Sequence, residues 1–117
     1  QIILYFNFQI STLPNLQIAY ARELRKELIV DLTFDFALKI IKYVELLEKN
    51  HKYVIGRQLL KSGTSIGANV REAQNAESKM DFIHKLKIAA KEADETEYWL
   101  LFAKDRQGMK IVMTCWI

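Results

Sequence analysis

Between Arg57 and Leu101 the chain reads RQLLKSGTSIGANVREAQNAESKMDFIHKLKIAAKEADETEYWLL, and small or apolar residues recur at alternating steps of four and three. Leu59, Gly63, Ile66, Val70 and Ala73 keep that rhythm, and so do Phe82, Leu86, Ala89, Ala93, Thr96, Leu100 and Ala103. A turn of 3.6 residues places each set on one side of a helix, so the stretch predicts two amphipathic helices packed through those seams. Between them, Ser78-Lys79-Met80-Asp81 is a capping box with Asp in its fourth place, which marks where the second helix starts. Four Gly and one Pro in 117 residues leave few breaks, which favours long helices over many short strands. The expected fold is an all-α bundle in a single domain over 1–117.

The first helix of the pair is predicted over 53–75. Gly63 and Gly67 lie in its interior, where each costs about 1 kcal/mol relative to Ala. With Ala68 beside them they make a smooth patch on which another helix can pack closely. Ala89, Ala90 and Ala93 keep the next helix slim and are expected opposite that patch. A phosphate-cradling loop is the sharper reading of SGTSIG, but the GxxxxGK[ST] spacing and a preceding strand are both missing.

Upstream, Phe36, Ile40, Tyr43 and Leu47 form one apolar stripe, widened by Phe34, Leu38, Ile41 and Val44. A face this broad suits a bundle helix with two neighbours. Asp31 or Thr33 is its expected N-cap, with Asp35 in the first turn at the positive end of the dipole. Before it, Leu16, Tyr20, Leu24 and Leu28 recur every four residues, which predicts a separate short helix over 16–29 capped by Asn15. Lys49 to Lys52 reads as a turn. Residues 2–10 are an apolar, aromatic run with β propensity, expected as a short strand or an irregular arm. Asp105 to Gly108 should stop the last helix, and Met109 to Ile117 form an apolar tail without helical polarity.

Composition narrows the classes further. Half the residues are apolar and 26% are charged, which is globular rather than disordered. The net charge of +3 and a pI near 9.0 are compatible with a polyanionic partner. A single cysteine, Cys115, rules out an internal disulfide framework and fits a reducing compartment. QIILYFNFQI lacks a basic leader and a small-residue cleavage site, and it is half the ~20 apolar residues a bilayer span needs. A cytoplasmic protein without membrane contact is expected, and the initial Gln reads as a start inside a longer frame.

Charge order is the most informative surface feature. Lys79, Lys85, Lys87 and Lys91 load the first half of the last helix, and Glu92, Asp94, Glu95 and Glu97 the second. The macrodipole favours the reverse, by about 0.3–1 kcal/mol per charge. Opposite charge on another subunit, or a polyanion across the basic half, would account for the inversion; a solvated, salt-screened face is the plain alternative. Arg57 and Lys61 are one turn apart, Arg71 lies further along the same helix, and His84, Lys87 and Lys91 share a face. With Lys39 and Lys42 nearby after packing, the candidate phosphate-binding set is Arg57, Lys61, Arg71, Lys85, Lys87 and Lys91. Such contacts give sequence-independent, salt-dependent binding of RNA or DNA. The chain shows no recognition-helix turn, RNA-binding aromatic motif or zinc spacing.

Catalytic chemistry finds little to work with. A di-iron carboxylate site needs two Glu-x-x-His pairs, and the nearest match is a single Asp81-x-x-His84; the other histidine, His51, lies in the predicted turn. Glu72, Glu92 and Glu97 flank the seams, where a carboxylate more often pairs with Arg or Lys or bonds a Tyr or Trp such as Tyr98 or Trp99. No nucleophile–base pair is visible. The expectation is a non-enzymatic protein with no metal or cofactor.

The strings SGTSIGANV, EAQ, SK-DFI-K and KEADETEYWL, together with FDFALKIIKYVELL upstream, resemble the bacterial four helix bundle proteins, also called 23S rRNA intervening-sequence proteins. The resemblance covers residues 32–104 and leaves 1–31 and 105–117 as atypical ends. It implies an antiparallel four-helix protomer that assembles into a homo-oligomeric ring, often a pentamer. The family's last helix should follow Asp105, yet Arg106 to Ile117 does not resemble it, so the helix at 16–29 is expected in the fourth place. The chain is also similar to the accessory protein of diversity-generating retroelements, a pentameric barrel with basic surfaces that binds nucleic acid. The resemblance implies no enzymatic activity. Its two functional expectations are a self-associating binder of nucleic-acid backbone and a ring scaffold that engages only proteins.

Overall fold

The computed structural model describes residues 18–107, with side chains described from 25 to 104. The expected arm at 2–10, the Asn15 cap, the tail at 109–117 and Cys115 lie outside the described residues. Three helices make up the rest: α1 (Ile18–Lys49), α2 (Tyr53–Ala73) and α3 (Lys79–Gln107). No strand occurs among the described residues, and no helix there is long and apolar enough to cross a membrane.

The all-α reading holds, but the helix count differs. The two helices expected upstream of Lys49 are one continuous helix, and neither Asp31 nor Thr33 caps anything. Thr33 shows why. Its side chain is buried, and its hydroxyl donates to the carbonyls of Ile29 at 2.8 Å and Val30 at 3.1 Å. A hydroxyl satisfied on its own preceding turn starts no new helix. With no Gly or Pro between Asn15 and Ile55, nothing else interrupts the winding. The described residues therefore form three helices, and the expected fourth is the first half of α1.

The end of α1 is a Schellman turn. The amide of Lys52 donates to the Leu47 carbonyl at 2.8 Å and that of His51 to Glu48 at 2.9 Å, with His51 at φ 61°. Past α2, Gln74, Asn75 and Ala76 tighten into i−3 bonds. The cap at Ser78 forms as its sequence predicts: its hydroxyl accepts from the Asp81 amide at 3.1 Å. The Asp81 carboxylate reaches back one residue beyond Ser78, to the Glu77 amide at 3.2 Å.

α2 is the central element, packed against α1 on one side and α3 on the other, while the backbones of α1 and α3 stay apart. Its buried residues Leu59, Ile66, Val70 and Ala73 are those of the predicted seam. One cluster joins Ile40, Tyr43, Val44 and Leu47 of α1 to Leu59 and to Ala103 of α3. A second joins Ile66 and Val70 to Ala89 and Ala93, and Phe36 packs against both.

The glycines face α1, not the alanines of α3. A Cβ on Gly63 would lie 2.8 Å from Cγ1 and 2.9 Å from Cγ2 of Ile40; one on Gly67 would lie 3.3 Å from the Thr33 carbonyl oxygen; one on Gly56 would lie 3.4 Å from Val44. Val44, Ile40 and Thr33 thus seat in succession on Gly56, Gly63 and Gly67 as the two helices run antiparallel. Ala68 is exposed and takes no part in this contact. It lies five residues from Gly63, too far around the helix to share its side. Ala89 and Ala93 instead sit against Ile66 and Val70.

Two stability measurements test this packing. Gly63→Ala gains helix propensity of about 1 kcal/mol but forces a methyl into fully buried Ile40, an overpacking cost of about 1–3 kcal/mol; net destabilisation is expected in urea unfolding. Gly56→Ala, at ordinary contact distance, should be neutral or stabilising, and equal effects at the two sites would contradict the notch. Separately, His51→Gly should stabilise the fold by about 1 kcal/mol by relieving the left-handed residue, read as a shift of the urea midpoint.

Candidate nucleic-acid interface

The six candidate cations fall in three places. Arg57, Lys61 and Arg71 are exposed on α2. At 100° per residue they span one outward stripe, with Thr64 and Ala68 between them. No ion-pair partner for these three occurs among the described residues. The stripe points away from both neighbours, because Gly56, Gly63 and Gly67 face α1 while Ile66 and Ala73 lie on the side opposite the stripe.

Lys85 is engaged. Its ammonium donates to Oε2 of Glu72 at 2.6 Å, tying α3 to the end of α2. That hydrogen bond first, and then the carboxylate's charge, hold the Lys85 pKa above the ordinary lysine value. The pair also neutralises the carboxylate that follows Arg71 in the chain. Lys87 and Lys91 are exposed on the side of α3 turned away from α2, since Ala89, Ala93 and Thr96 occupy the buried side. Lys39 and Lys42 are exposed on α1. The candidate set does not converge on one face: α2 and α3 present their cations in different directions.

The candidate catalytic groups are equally dispersed. Asp81 is spent on the cap, His84 is exposed, and His51 Nδ1 lies 3.1 Å from the Tyr53 hydroxyl. No group of three or more His, Cys, Asp or Glu side chains suited to a metal occurs among the described residues. Glu72 and Glu97 are exposed and Glu92 is half-buried. Trp99 finds its acceptor in Glu95, with Nε1 donating to Oε1 at 3.3 Å, one turn back rather than at a seam glutamate.

Sequence reasoning missed an open cleft of about 420 Å³ lined by Lys26, Glu27, Val30, Asp31 and Gln74. Gln74 donates from Nε2 to the Val70 carbonyl at 3.0 Å, and its Oε1 is buried without a partner among the described residues. No spacing signals this cleft, because it needs α1 and the end of α2 to be brought together. Phe34, Leu38 and Ile41, which the sequence expects to widen the apolar face of this helix toward a second neighbour, form an apolar strip on the outer side of α1 and are 55%, 44% and 37% exposed.

Taken together, the described residues define an all-α helical bundle protein whose distinctive surface chemistry is charge on exposed helix faces. The chain belongs to the 23S rRNA-intervening sequence protein family, whose sequence model matches residues 25–111. That span extends beyond 32–104 at both ends. A solved structure, a protein of unknown function from the S23 ribosomal protein family of Bacteroides thetaiotaomicron, is 43% identical to it, with a TM-score of 0.69 over 73% of this chain and 77% of that one. No curated protein matches the chain.

The Lys85–Glu72 pair makes a direct prediction. Because the folded lysine pKa is raised, the pair stabilises the fold below pH ~10.5 and its contribution is lost as pH rises through the folded value. Glu72→Gln should return the Lys85 titration to the ordinary lysine range, followed by NMR at Nζ. An unaltered titration curve would show that the bridge does not form in solution.

Proposed function

We propose that this chain is a non-enzymatic, self-associating protein of the four-helix-bundle type that binds RNA or DNA backbone without sequence preference. The observation that carries the reading is the α2 stripe of Arg57, Lys61 and Arg71: exposed, unpaired among the described residues, and separated by small residues. Over the fourteen helical steps from Arg57 to Arg71 it is about 21 Å long, enough to meet several phosphates of one strand. Thr64 and Ala68 leave the helix low between the cations, so a sugar-phosphate chain can lie close. Glu72, which adjoins Arg71 in the chain, is held by Lys85. The family's description, which names a 23S rRNA intervening sequence, points the same way.

Self-association and a fourth helix are supported by surface that three helices leave uncovered. α1 is apolar over most of its circumference, and such a helix is ordinarily enclosed. Phe34, Leu38 and Ile41 mark the side that a fourth helix would cover. The absence of mutually oriented acid, base and nucleophile among the described side chains makes a binding role the better supported one.

A salt titration of binding to non-specific RNA and duplex DNA tests the proposal. Three phosphate contacts predict a log–log slope near −2.7 on duplex DNA, at about −0.9 per contact. Arg57→Ala with Lys61→Ala should reduce its magnitude by about two and weaken both ligands alike. No binding at low salt, or an unchanged slope in the double variant, would refute it.

A further inference from the structure

Two exposed stripes on different helices repeat one spacing. On α1, Glu27, Asp31, Phe34, Leu38 and Ile41 follow one another at steps of four, three, four and three. On α3, Lys87, Lys91, Asp94, Tyr98 and Leu101 follow at the same steps, each 60 residues further along, as Lys87 is from Glu27. The first stripe lies away from the side where Thr33, Ile40 and Val44 are buried, the second away from Ala89, Ala93 and Thr96. Each opens with two like charges and ends apolar, acids on α1 and lysines on α3. Tyr98 and Leu101 are 59% and 51% exposed, with Phe102 beside them at 37%. Glu27, Asp31, Lys87 and Lys91 have no ion-pair partner among the described residues.

We propose that copies of this chain dock head to tail through these stripes, α3 of a second copy lying parallel on α1 of the first. Glu27 and Asp31 then meet Lys87 and Lys91 of the second copy, while Leu38 and Ile41 meet its Tyr98, Leu101 and Phe102. Phe34 comes level with Asp94 and packs between Lys91 and Tyr98, which flank that carboxylate by one turn on either side. The contact runs about 21 Å from Glu27 to Ile41, at 1.5 Å per residue. Glu27 and Asp31 also line the open cleft beside Gln74, which gives the incoming lysines room. The lysines at the start of α3, misplaced for its own dipole, stand where the acids of α1 require them. Reversed pairing would set them against Leu38 and Ile41 and leave the acids against apolar side chains.

The same offset fixes how copies follow one another. Within one chain, Ile29 and Val30 pack against the cluster that holds Ala89, and Tyr43 and Val44 share a cluster with Ala103. Residues about 60 apart on α1 and α3 therefore lie at one height. A copy docked at that offset is not displaced along the bundle, so successive copies close into a ring and do not climb into a filament. Each copy offers α1 to one neighbour and α3 to the other. The inference rests on the self-association reading and uses none of Arg57, Lys61 and Arg71, so the nucleic-acid reading stands or falls separately.

Charge exchange within the full chain tests it. Glu27→Lys with Asp31→Lys, and Lys87→Glu with Lys91→Glu, each set like charges across the contact. Each double variant alone should associate at least about tenfold more weakly than wild type in sedimentation equilibrium. An equimolar mixture of the two should associate again, because each α1 then finds an α3 of opposite charge on the other variant. Circular dichroism monitors the helices, and if a double variant loses them, Leu38→Ser and Tyr98→Ser supply the weakening from the apolar end. Double variants that associate like wild type would overturn this interface while leaving self-association standing, the result expected if residues 109–117 of the same chain cover the α1 strip. A mixture that fails to recover would overturn it too. A wild-type chain that stays monomeric at all concentrations would overturn both readings.

Discussion

Ile40 seated on Gly63 is the contact on which the rest of the molecule depends. With a hypothetical methyl only 2.8 Å from its side chain, Ile40 occupies space that any other residue at position 63 would fill. Glycine in a helix interior is unfavourable by about 1 kcal/mol, so three along one side of α2 are a considerable local cost. The return is proximity: α1 and α2 come close enough to bury Ile40, Val44 and Leu47 completely or nearly so against Leu59. Since α2 also carries Ile66 and Val70 against Ala89 and Ala93, fixing α2 against α1 fixes α3 as well.

Sequence and structure agree where the signal is local and diverge where it concerns pairing. The start of α3 was legible because Ser78 and Asp81 form a cap within a few residues of chain. The seam of α2 was legible because a 3.6-residue period needs no knowledge of the neighbour. What the pattern could not show is which neighbour the glycines face. Small residues report that something approaches closely, and Ala89, Ala90 and Ala93 offered a plausible counterpart that Ile40 displaces. Ala68 looked like part of the same patch because it adjoins Gly67, but one residue is a rotation of about 100° and carries it to the outside.

The break expected near Asp31 and Thr33 failed for a different reason. Asp and Thr are favoured at helix starts because their side chains bond backbone amides, and Thr has a second option in bonding the carbonyl a turn earlier. Thr33 takes that option in a buried setting, where it meets the backbone of Gly67 at close range. The candidate surface shows the same limit: Arg57, Lys61 and Arg71 were predictable as a stripe, since they share one helix. Whether Lys87 and Lys91 joined them depended on how α3 is rotated, which no spacing encodes, and Lys85 was drawn off by a glutamate on another helix.

The buried threonine and serine hydroxyls between these helices turn back on their own chain: Thr33 to Ile29, Ser62 to Gln58 and Thr96 to Glu92. None of these groups supplies a directional link from one helix to the next. Axial alignment of α1 on α2 therefore rests on the uneven ladder of notches at 56, 63 and 67, separated by seven residues and then four. A slide of α1 by one helical turn can set Ile40 on Gly56 and Thr33 on Gly63 but leaves Val44 and the Gly67 notch unmatched, so one register alone fills all three and the ladder works as a mechanical key rather than an adhesive. A bundle keyed in this way answers pressure on a notch by seeking another alignment before it gives up its helices.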